Sequence, residues 1–223
     1  MCGRYVSPDE AALERVWNLV RGENPFRIVY NAAPTMNLPV VRQHAGRTEV
    51  CGMQWGLIPL WWSKPQPPRS TINARSEDAA VKPMWRAALK RTRCLVPSLG
   101  WYEWKEQEPG RGKRPYFLHR PGPELFHFAG LWSSWTPQGG KPLLSFAILT
   151  RDAAGEAASI HSRMPVVLPP DAYESWLDPA AQDGAALTAA AVASAVTEFA
   201  AYPVSPYVNS PRNQGEECIR AVA

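Results

Sequence analysis

The central third of the chain constrains the fold most, because it consists of short apolar segments separated by Gly, Pro or charged residues. Strands of about five or six residues are typical of such segments, whereas helices need longer periodic runs. The pattern therefore predicts a β-rich core, with strands over residues 93–97, 101–105, 115–120, 125–132 and 143–150.

Helical patterns surround this core. Ser7, Pro8 and Glu10 resemble a capping box, and apolar residues at helical spacing follow, so a helix is predicted over residues 8–21. Other elements are predicted as a strand pair over 38–42 and 49–55, helices ending near residue 90 and over 152–160, 169–177 and 185–196, and a last strand over 202–205. Because strands and helices do not alternate regularly, we predict an α+β fold. We expect one compact domain over residues 1–223, with a mainly antiparallel, barrel-like sheet core and peripheral helices.

Composition excludes several functional classes. No apolar run approaches the roughly 20 residues that span a membrane, and the start of the chain lacks a secretory signal pattern. We therefore expect a cytoplasmic protein without a membrane partner. The four cysteines form no C-x-x-C pair, which argues against a zinc site and against a disulfide framework. We expect no metal, no cofactor and a monomeric protein.

Basic charge and aromatic residues indicate a nucleic-acid partner. The net charge is +4, which alone is weak support, but the chain contains ten tryptophans. Prolines prevent a helix over residues 57–69, so Trp61 and Trp62 are predicted in a surface loop. Exposed aromatic rings beside Arg and Lys suit unpaired bases, which stack, and this favours a single-stranded ligand.

The second residue offers unusual chemistry if Met1 is removed. Cys2 would then carry both a free α-amine and a thiol, whose reference pKa values are about 8 and about 8.5. Such a 1,2-aminothiol attacks an aldehyde through nitrogen, forms an imine, and closes sulfur onto the same carbon as a thiazolidine. The alternative is that position 2 only holds a small residue after the start codon.

Glu103 and His161 are the candidate acid/base groups. Glu103 lies between two aromatic residues, where partial desolvation would raise its pKa. The alternative is a strand with one wet face, on which Glu103 pairs with Lys105. His161 lies at a break in predicted structure beside Arg163, where functional residues concentrate, although a histidine there can also cap helix carbonyls.

Asn73 and Arg75 would share one face of an extended segment and could hold a polar group and a phosphate. A turn followed by a surface arginine is equally compatible with these residues. Cys2, His161 and Asn73 also allow a Cys-His-Asn peptidase site, so a thiol hydrolase stays a second hypothesis.

Seven sequence blocks, taken together and in this order, resemble those of the SOS response-associated peptidase (SRAP) family, whose members are also called abasic site processing proteins. The resemblance extends over the whole chain. The blocks are Met-Cys-Gly-Arg-Tyr at 1–5, Asn-Ala-Ala-Pro-Thr at 31–35, Trp-Gly-Leu-Ile-Pro at 55–59, Ile-Asn-Ala-Arg-Ser-Glu at 72–77, Gly-Trp-Tyr-Glu-Trp at 100–104, His-Ser-Arg-Met-Pro at 161–165 and the tail over 204–213.

The resemblance implies covalent capture of abasic sites in single-stranded DNA, as a thiazolidine between the N-terminal cysteine and the ring-opened deoxyribose. It implies that Cys2 is the nucleophile, that Asn73 and Glu103 flank its amine and that His161 faces the sugar. It further implies DNA contacts from Arg4, Pro34, Trp61, Trp62, Arg75 and Arg163. The family name keeps an autoproteolytic cysteine peptidase as the alternative activity, and a non-covalent single-strand binder is the third class.

Overall fold

A computed structural model describes residues 2–17, 26–64, 66–68, 71–121 and 125–222. The strands are β1 (Tyr5–Ser7), β2 (Val29–Ala32), β3 (Asn37–His44), β4 (Arg47–Trp55), β5 (Asn73–Arg75), β6 (Arg93–Ser98), β7 (Gly100–Glu106), β8 (Lys113–His119), β9 (Phe126–Trp135), β10 (Leu143–Asp152), β11 (Arg163–Pro165), β12 (Val167–Leu168) and β13 (Ala200–Pro203). The helices are α1 (Glu10–Trp17), α2 (Ser76–Ala79), α3 (Arg86–Arg91), α4 (Tyr173–Leu177) and α5 (Gly184–Ser194). Short 3₁₀ helices cover Gly155–Ser159, Pro170–Ala172, Pro206–Asn209 and Glu216–Ile219.

The larger sheet closes on itself. Its strands follow the order β11-β10-β4-β3-β6-β9-β12, and β10 also pairs antiparallel with β9, which completes a ring of five strands. Most pairs are antiparallel, but β10 runs parallel to β4 and to β5. This architecture confirms the α+β class and the barrel-like core. Each of the five predicted central segments contains a strand, and the predicted pair over 38–42 and 49–55 forms β3 and β4.

The smaller sheet positions the start of the chain. Its order is β13-β8-β7-β1-β2, and Tyr5 of β1 pairs with Trp101 of β7. The Tyr102 N–H donates to the Arg4 carbonyl at 3.0 Å, so the strand contact continues towards residue 2. Glu103 comes next along β7 and therefore lies beside the N-terminal segment.

Two apolar layers lie on opposite faces of the closed sheet. Along β10 the side chains alternate, as a period of two requires: Phe146 and Ile148 belong to the interior cluster, whereas Ala147 and Leu149 pack towards the helices. Cys2 belongs to the interior cluster, with the fully buried Tyr5, Trp55 and Trp101. Burying each large side chain stabilises the fold by roughly 2–3 kcal/mol relative to exposure.

Two local predictions were wrong in detail. Ser7 is the last residue of β1, and α1 is capped instead by Asp9, whose carboxylate accepts from the Ala12 N–H at 2.9 Å. Residues 18–21 of the predicted helix lie outside the described residues. The segment 152–160 forms only a 3₁₀ helix that begins at Gly155, which has φ +57° and no room for a Cβ beside the Thr197 carbonyl. In the described part of the chain, no helix is both long and apolar enough to cross a membrane.

Candidate active site

Residue 2 is held through its main chain. The Asn73 side-chain amide donates to the Cys2 carbonyl oxygen at 2.8 Å, and both residues are buried. Asn73 is placed by the parallel pairing of β5 with β10, where it lies opposite Ile148. The Cys2 Sγ lies 3.8 Å from the Arg4 carbonyl. Asn73 therefore holds the main chain of residue 2 and makes no hydrogen bond to its thiol.

Glu103 is a buried carboxyl group close enough to influence Cys2. It is 3% exposed, which contradicts the alternative of an outward side chain paired with Lys105. Burial raises the pKa of Glu103 to about 7. Burial also raises the pKa of the Cys2 thiol, and the charge of Glu103 raises it further. At neutral pH the thiol is therefore protonated, whereas Glu103 exists in both its acid and its base form.

His161 follows the 3₁₀ helix that begins at Gly155 and precedes β11. Its Nδ1 accepts the Arg163 backbone N–H at 3.0 Å, which in a neutral ring puts the proton on Nε2. Burial lowers the pKa of His161, and the positive charge of Lys113 lowers it further. The same Lys113 charge opposes the rise in the pKa of Glu103, so His161 and Glu103 share one electrostatic neighbour.

Arg163 is engaged by protein carboxylates. Its guanidinium donates to both carboxylate oxygens of Glu77, at 2.6 and 2.9 Å, and to Asp152 at 2.5 Å. It also donates to the Thr150 carbonyl at 3.0 Å. Hydrogen bonding to Glu77 raises the pKa of Arg163, and Arg163 lowers the pKa of Glu77. These contacts fix the turn that carries His161, and a phosphate would have to compete with two carboxylates for this arginine.

The other two predicted arginines differ in environment. Arg4 donates to the Asn31 side-chain oxygen at 2.9 Å and to the carbonyls of Val208 and Asn209 at 3.0 and 3.1 Å. These acceptors are uncharged, so none of them neutralises the positive charge of Arg4, and burial lowers its pKa. Arg75, at the end of β5, is exposed. Of the three, Arg75 has the guanidinium most open to a ligand.

The predicted surface loop over 57–69 reaches the surface at residues 60–64, whereas Leu57, Ile58 and Pro59 at its start are buried. Trp61 is 58% exposed, and its ring meets that of Trp62 edge to face with a centroid distance of 5.8 Å. The Trp135 indole donates to the Trp62 carbonyl at 2.6 Å, which fixes the loop to the end of β9. Pro34 is half-buried and precedes Thr35, whose φ of +74° marks a tight turn.

The structure thus brings Cys2, Asn73 and Glu103 together and places His161 in the same electrostatic environment as Glu103. Sequence inspection missed the carboxylates of Glu77 and Asp152. Glu77 lies in the block that carries Asn73, but only the pairing of β10 with both β5 and β11 brings it to Arg163. Within the described ranges, no three His, Cys, Asp or Glu side chains are grouped to hold a metal ion.

Comparison with known proteins identifies the family of this chain. The family model described as SOS response associated peptidase (SRAP) matches residues 1–211. The abasic site processing protein YoqW of Bacillus subtilis (strain 168) is 32% identical over 225 residues, which cover 99% of this chain and 100% of that protein. The abasic site processing protein HMCES of Gallus gallus is 34% identical over 229 residues, which cover 88% of this chain and 67% of that protein.

Solved structures show the same fold. A phage-related protein from Bordetella bronchiseptica superposes with a TM-score of 0.71 and 30% identity, over 96% of this chain and 99% of that one. A protein from Bacteroides thetaiotaomicron gives a TM-score of 0.73 and 26% identity, over 86% and 85% of the two chains. The chain therefore belongs to the SOS response-associated peptidase (SRAP) family.

Proposed function

We propose that this chain captures abasic sites in single-stranded DNA as a covalent thiazolidine, formed by Cys2 after removal of Met1. The names of the curated relatives support abasic-site processing. The observation that carries the chemistry is the position of residue 2, held by Asn73 and adjoining a carboxyl group whose pKa is about 7. Removal of Met1 is essential, because an amide nitrogen at Cys2 cannot form an imine.

The reaction needs protons moved in both directions, which suits Glu103. The closed sugar opens when its ring oxygen gains a proton and its C1′ hydroxyl loses one, giving an aldehyde. The amine of Cys2 adds to C1′, and the resulting hydroxyl leaves as water once Glu103 protonates it. A carboxyl group with a pKa near the working pH serves as acid and base in turn.

The thiol completes the adduct. Its sulfur bonds to C1′, the carbon–nitrogen double bond becomes single, and the thiol proton ends on nitrogen, so one water is lost overall. Because burial and Glu103 keep the thiol protonated, we assign the first attack to the amine and the ring closure to sulfur. An imine would promote β-elimination and strand cleavage, so ring closure protects the DNA.

His161 and Asn73 have positioning roles in this scheme. His161 presents Nε2–H as a neutral hydrogen-bond donor to the sugar, since its Nδ1 is engaged by the Arg163 backbone. Asn73 fixes the direction of the N-terminal amine. We assign the contacts with DNA phosphates and bases to Arg4, Pro34, Trp61, Trp62, Arg75 and Arg163.

The test is a crosslinking assay with Met-processed protein and an oligonucleotide that contains one abasic site. We expect a heat-stable shifted band on a denaturing gel, and we expect Cys2→Ala to abolish it. A band that survives in Cys2→Ala would overturn the thiazolidine, and an oligonucleotide without the lesion controls for non-covalent binding. Thermal unfolding of the variant checks that it is folded.

Autoproteolysis is the second candidate, because the family description includes a peptidase and the chemistry requires a free amine at residue 2. In this case the protein itself would cleave the bond between Met1 and Cys2. Mass spectrometry of freshly purified protein, expressed without a methionine aminopeptidase, distinguishes the two routes. Self-processing predicts loss of Met1 from the unaltered chain but not from Cys2→Ala, whereas retention of Met1 in both assigns its removal to another enzyme.

A further inference from the structure

The smaller sheet places two very different residues on either side of Glu103. On β8, Tyr116 lies directly opposite Glu103 in the antiparallel register. On β1, Tyr5 pairs with Trp101, and continuing this register by two residues brings Gly3 opposite Glu103. Residues directly opposite each other in antiparallel strands share one face, with Cβ atoms roughly 5 Å apart. Glu103 therefore has an aromatic ring on one side and no side chain on the other.

The face of the sheet that carries Tyr116 meets the candidate active site. Tyr116 is half-buried and packs against the interior cluster that contains Cys2. Leu118, two residues further along the same face of β8, is fully buried in that cluster. Of the two cross-strand neighbours of Glu103, only Tyr116 has a side chain large enough to keep water away from the carboxyl group.

The hydroxyl group of Tyr116 does not anchor its ring. Two other tyrosines of this sheet are anchored by hydrogen bonds to carbonyl oxygens: Tyr102 donates to Tyr30 at 2.7 Å, and Tyr202 donates to Ile219 at 2.8 Å. Among the described residues, none forms a hydrogen bond with the Tyr116 hydroxyl. The contribution of Tyr116 to the fold is therefore its ring and the surface that the ring covers.

Positive charges adjoin Glu103, but they do not set its pKa. Burial raises this pKa to about 7, although the positive charges of the chain terminus and of Lys113 oppose the rise. Lys105 and Arg114 face each other next along β7 and β8, on the same face as Glu103, and are also cationic. Because nearby cations favour the ionised carboxylate, the effect of burial has to outweigh theirs.

The other titratable groups of the site are uncharged at neutral pH. Burial raises the pKa of the Cys2 thiol and lowers that of the His161 ring. Neither group supplies the negative charge that would otherwise raise the pKa of a carboxyl group. Exclusion of water is the remaining cause, and it depends on the side chains that cover Glu103.

We propose that Tyr116 is a positioning residue for the capture of abasic sites, because its ring covers Glu103 on the side away from residue 2 and keeps water from the carboxyl group. The open side of Glu103 then faces Gly3 and residue 2, where the reaction takes place. An aromatic ring suits this role, since it excludes water without adding a charge. The inference rests on the proposed function, because it assigns Tyr116 a part in the same reaction.

The first measurement does not depend on crosslinking. NMR titration of protein with isotope-labelled glutamate follows the carboxyl group of Glu103, and Glu103→Gln identifies its signal. Tyr116→Ala should lower the pKa of Glu103 by at least about one pH unit towards its ordinary 4.5, because water then reaches the carboxyl group. Tyr116→Phe keeps the ring and should leave this pKa nearly unchanged.

Tyr202→Ala is the matched control. Tyr202 lies on β13 of the same sheet, but it pairs with Phe117 and packs in the cluster on the opposite face. This variant should lower stability without moving the pKa of Glu103, which separates local cover from a general loosening of the sheet. If Tyr116→Ala is unfolded, Tyr116→Thr takes its place, because threonine suits a strand.

An unchanged pKa of Glu103 in Tyr116→Ala would overturn the proposal. An equal fall in Tyr116→Phe would also overturn it, because the hydroxyl group would then be responsible. An equal fall in Tyr202→Ala would show that the sheet as a whole sets the pKa of Glu103.

Crosslinking gives the second measurement, as a single-turnover rate over a pH series with an abasic oligonucleotide. In Tyr116→Ala the midpoint of the rate profile should move to lower pH by the same amount as the pKa of Glu103, and in Tyr116→Phe it should stay. A midpoint that does not follow the pKa would exclude Tyr116 from the reaction. If the unaltered protein forms no crosslink, the proposed function fails, whereas the titration still decides whether Tyr116 shields Glu103.

Discussion

Glu103 and His127 are both buried ionisable side chains, and burial shifts both pKa values towards the uncharged form. The pKa of Glu103 rises to about 7, and that of His127 falls to about 3. The same physical cause therefore leaves one group titrating at neutral pH and the other permanently neutral there. Burial alone does not mark a functional residue, whereas a pKa moved towards neutrality beside a cysteine thiol marks a candidate for one.

The neighbours of His127 and Glu103 explain why we assign a structural role to the first and a chemical role to the second. The Trp17 indole donates to His127 Nε2 at 2.9 Å, and His127 Nδ1 lies 2.9 Å from the Tyr173 hydroxyl. With Nε2 as acceptor, the ring proton sits on Nδ1 and is donated to the tyrosine oxygen. Neutral His127 thus ties α1 to α4 across β9, a structural role. Glu103 instead adjoins Cys2, whose thiol responds to its charge.

The prediction with the largest expected effect tests whether Glu103 transfers protons in the proposed reaction. Glu103→Gln keeps the size and hydrogen-bonding capacity of the side chain but removes its proton exchange, so the rate of crosslinking should fall by about 100-fold or more. Single-turnover gel assays over a pH series measure this rate. In the unaltered protein the rate should change with an apparent pKa of about 7, and Gln should remove that dependence.

Glu106→Gln is the matched control, because Glu106 lies on the same strand but is exposed and pairs with Lys113 at 3.1 Å. It should crosslink at close to the normal rate. A rate for Glu103→Gln within about three-fold of normal would show that another group transfers the proton.

The second prediction concerns stability. His127→Phe leaves the Trp17 and Tyr173 polar groups without their partner and should lower the free energy of unfolding by about 2–4 kcal/mol at neutral pH. Because the folded pKa of His127 lies below its ordinary 6.5, the unaltered protein should lose stability as the pH falls from about 6.5 to about 3. The loss is on the order of 5 kcal/mol. Denaturant unfolding at several pH values measures both effects.

Below about pH 6.5, the free energy of unfolding should decrease less steeply in His127→Phe than in the unaltered protein. The exposed His44→Phe should show the same decrease as the unaltered protein. Glu103 acts in the opposite pH range. Since its folded pKa is raised, its contribution to stability is present below about pH 4.5 and is lost as the pH rises through about 7. If the decrease at acid pH is unchanged in His127→Phe, protonation of a residue other than His127 causes it.

The smallest expected effect concerns Arg163. Glu77→Gln removes one of the two carboxylates that compete with phosphate for this arginine, so affinity for single-stranded DNA should rise about two- to five-fold. Asp78→Asn is the control, because Asp78 lies beside Glu77 in α2 but pairs with Lys82. Anisotropy at fixed salt measures both. Weaker binding in Glu77→Gln would mean that Arg163 supports His161 and does not contact DNA.

The comparison also shows how far the sequence predicts the structure. The central strands follow from local pattern, because each segment is bounded by residues that stop a strand. The N-terminus of α1 was misplaced, since Ser7 and Asp9 are both good capping residues and only the pairing of β1 excludes Ser7. Local pattern also favoured an outward Glu103. Its burial depends on which face of β7 meets the N-terminal segment, and that is decided by tertiary packing.

Long-range contacts decided the rest of the site. Asn73 reaches Cys2 only because β5 joins the closed sheet parallel to β10, and no local signal encodes a parallel pair across so many residues. His127 lies within the strand predicted over 125–132, but its hydrogen bonds to Trp17 and Tyr173 depend on the packing of α1 and α4. The family resemblance supplied the candidate site residues, but it did not indicate the carboxylates that hold Arg163.

The hydrogen bond from Asn73 to the main chain of residue 2 determines what a substitution at residue 2 would change. The hydrogen bond ends on a carbonyl oxygen that every amino acid possesses. Placement of the terminal amine is therefore separate from the identity of the side chain beside it. In the mechanism proposed above, an alanine in this position would present its amine to the sugar in the same way, but without sulfur the imine would persist. Under that mechanism, one atom at residue 2 decides whether the damaged strand is sealed or cut.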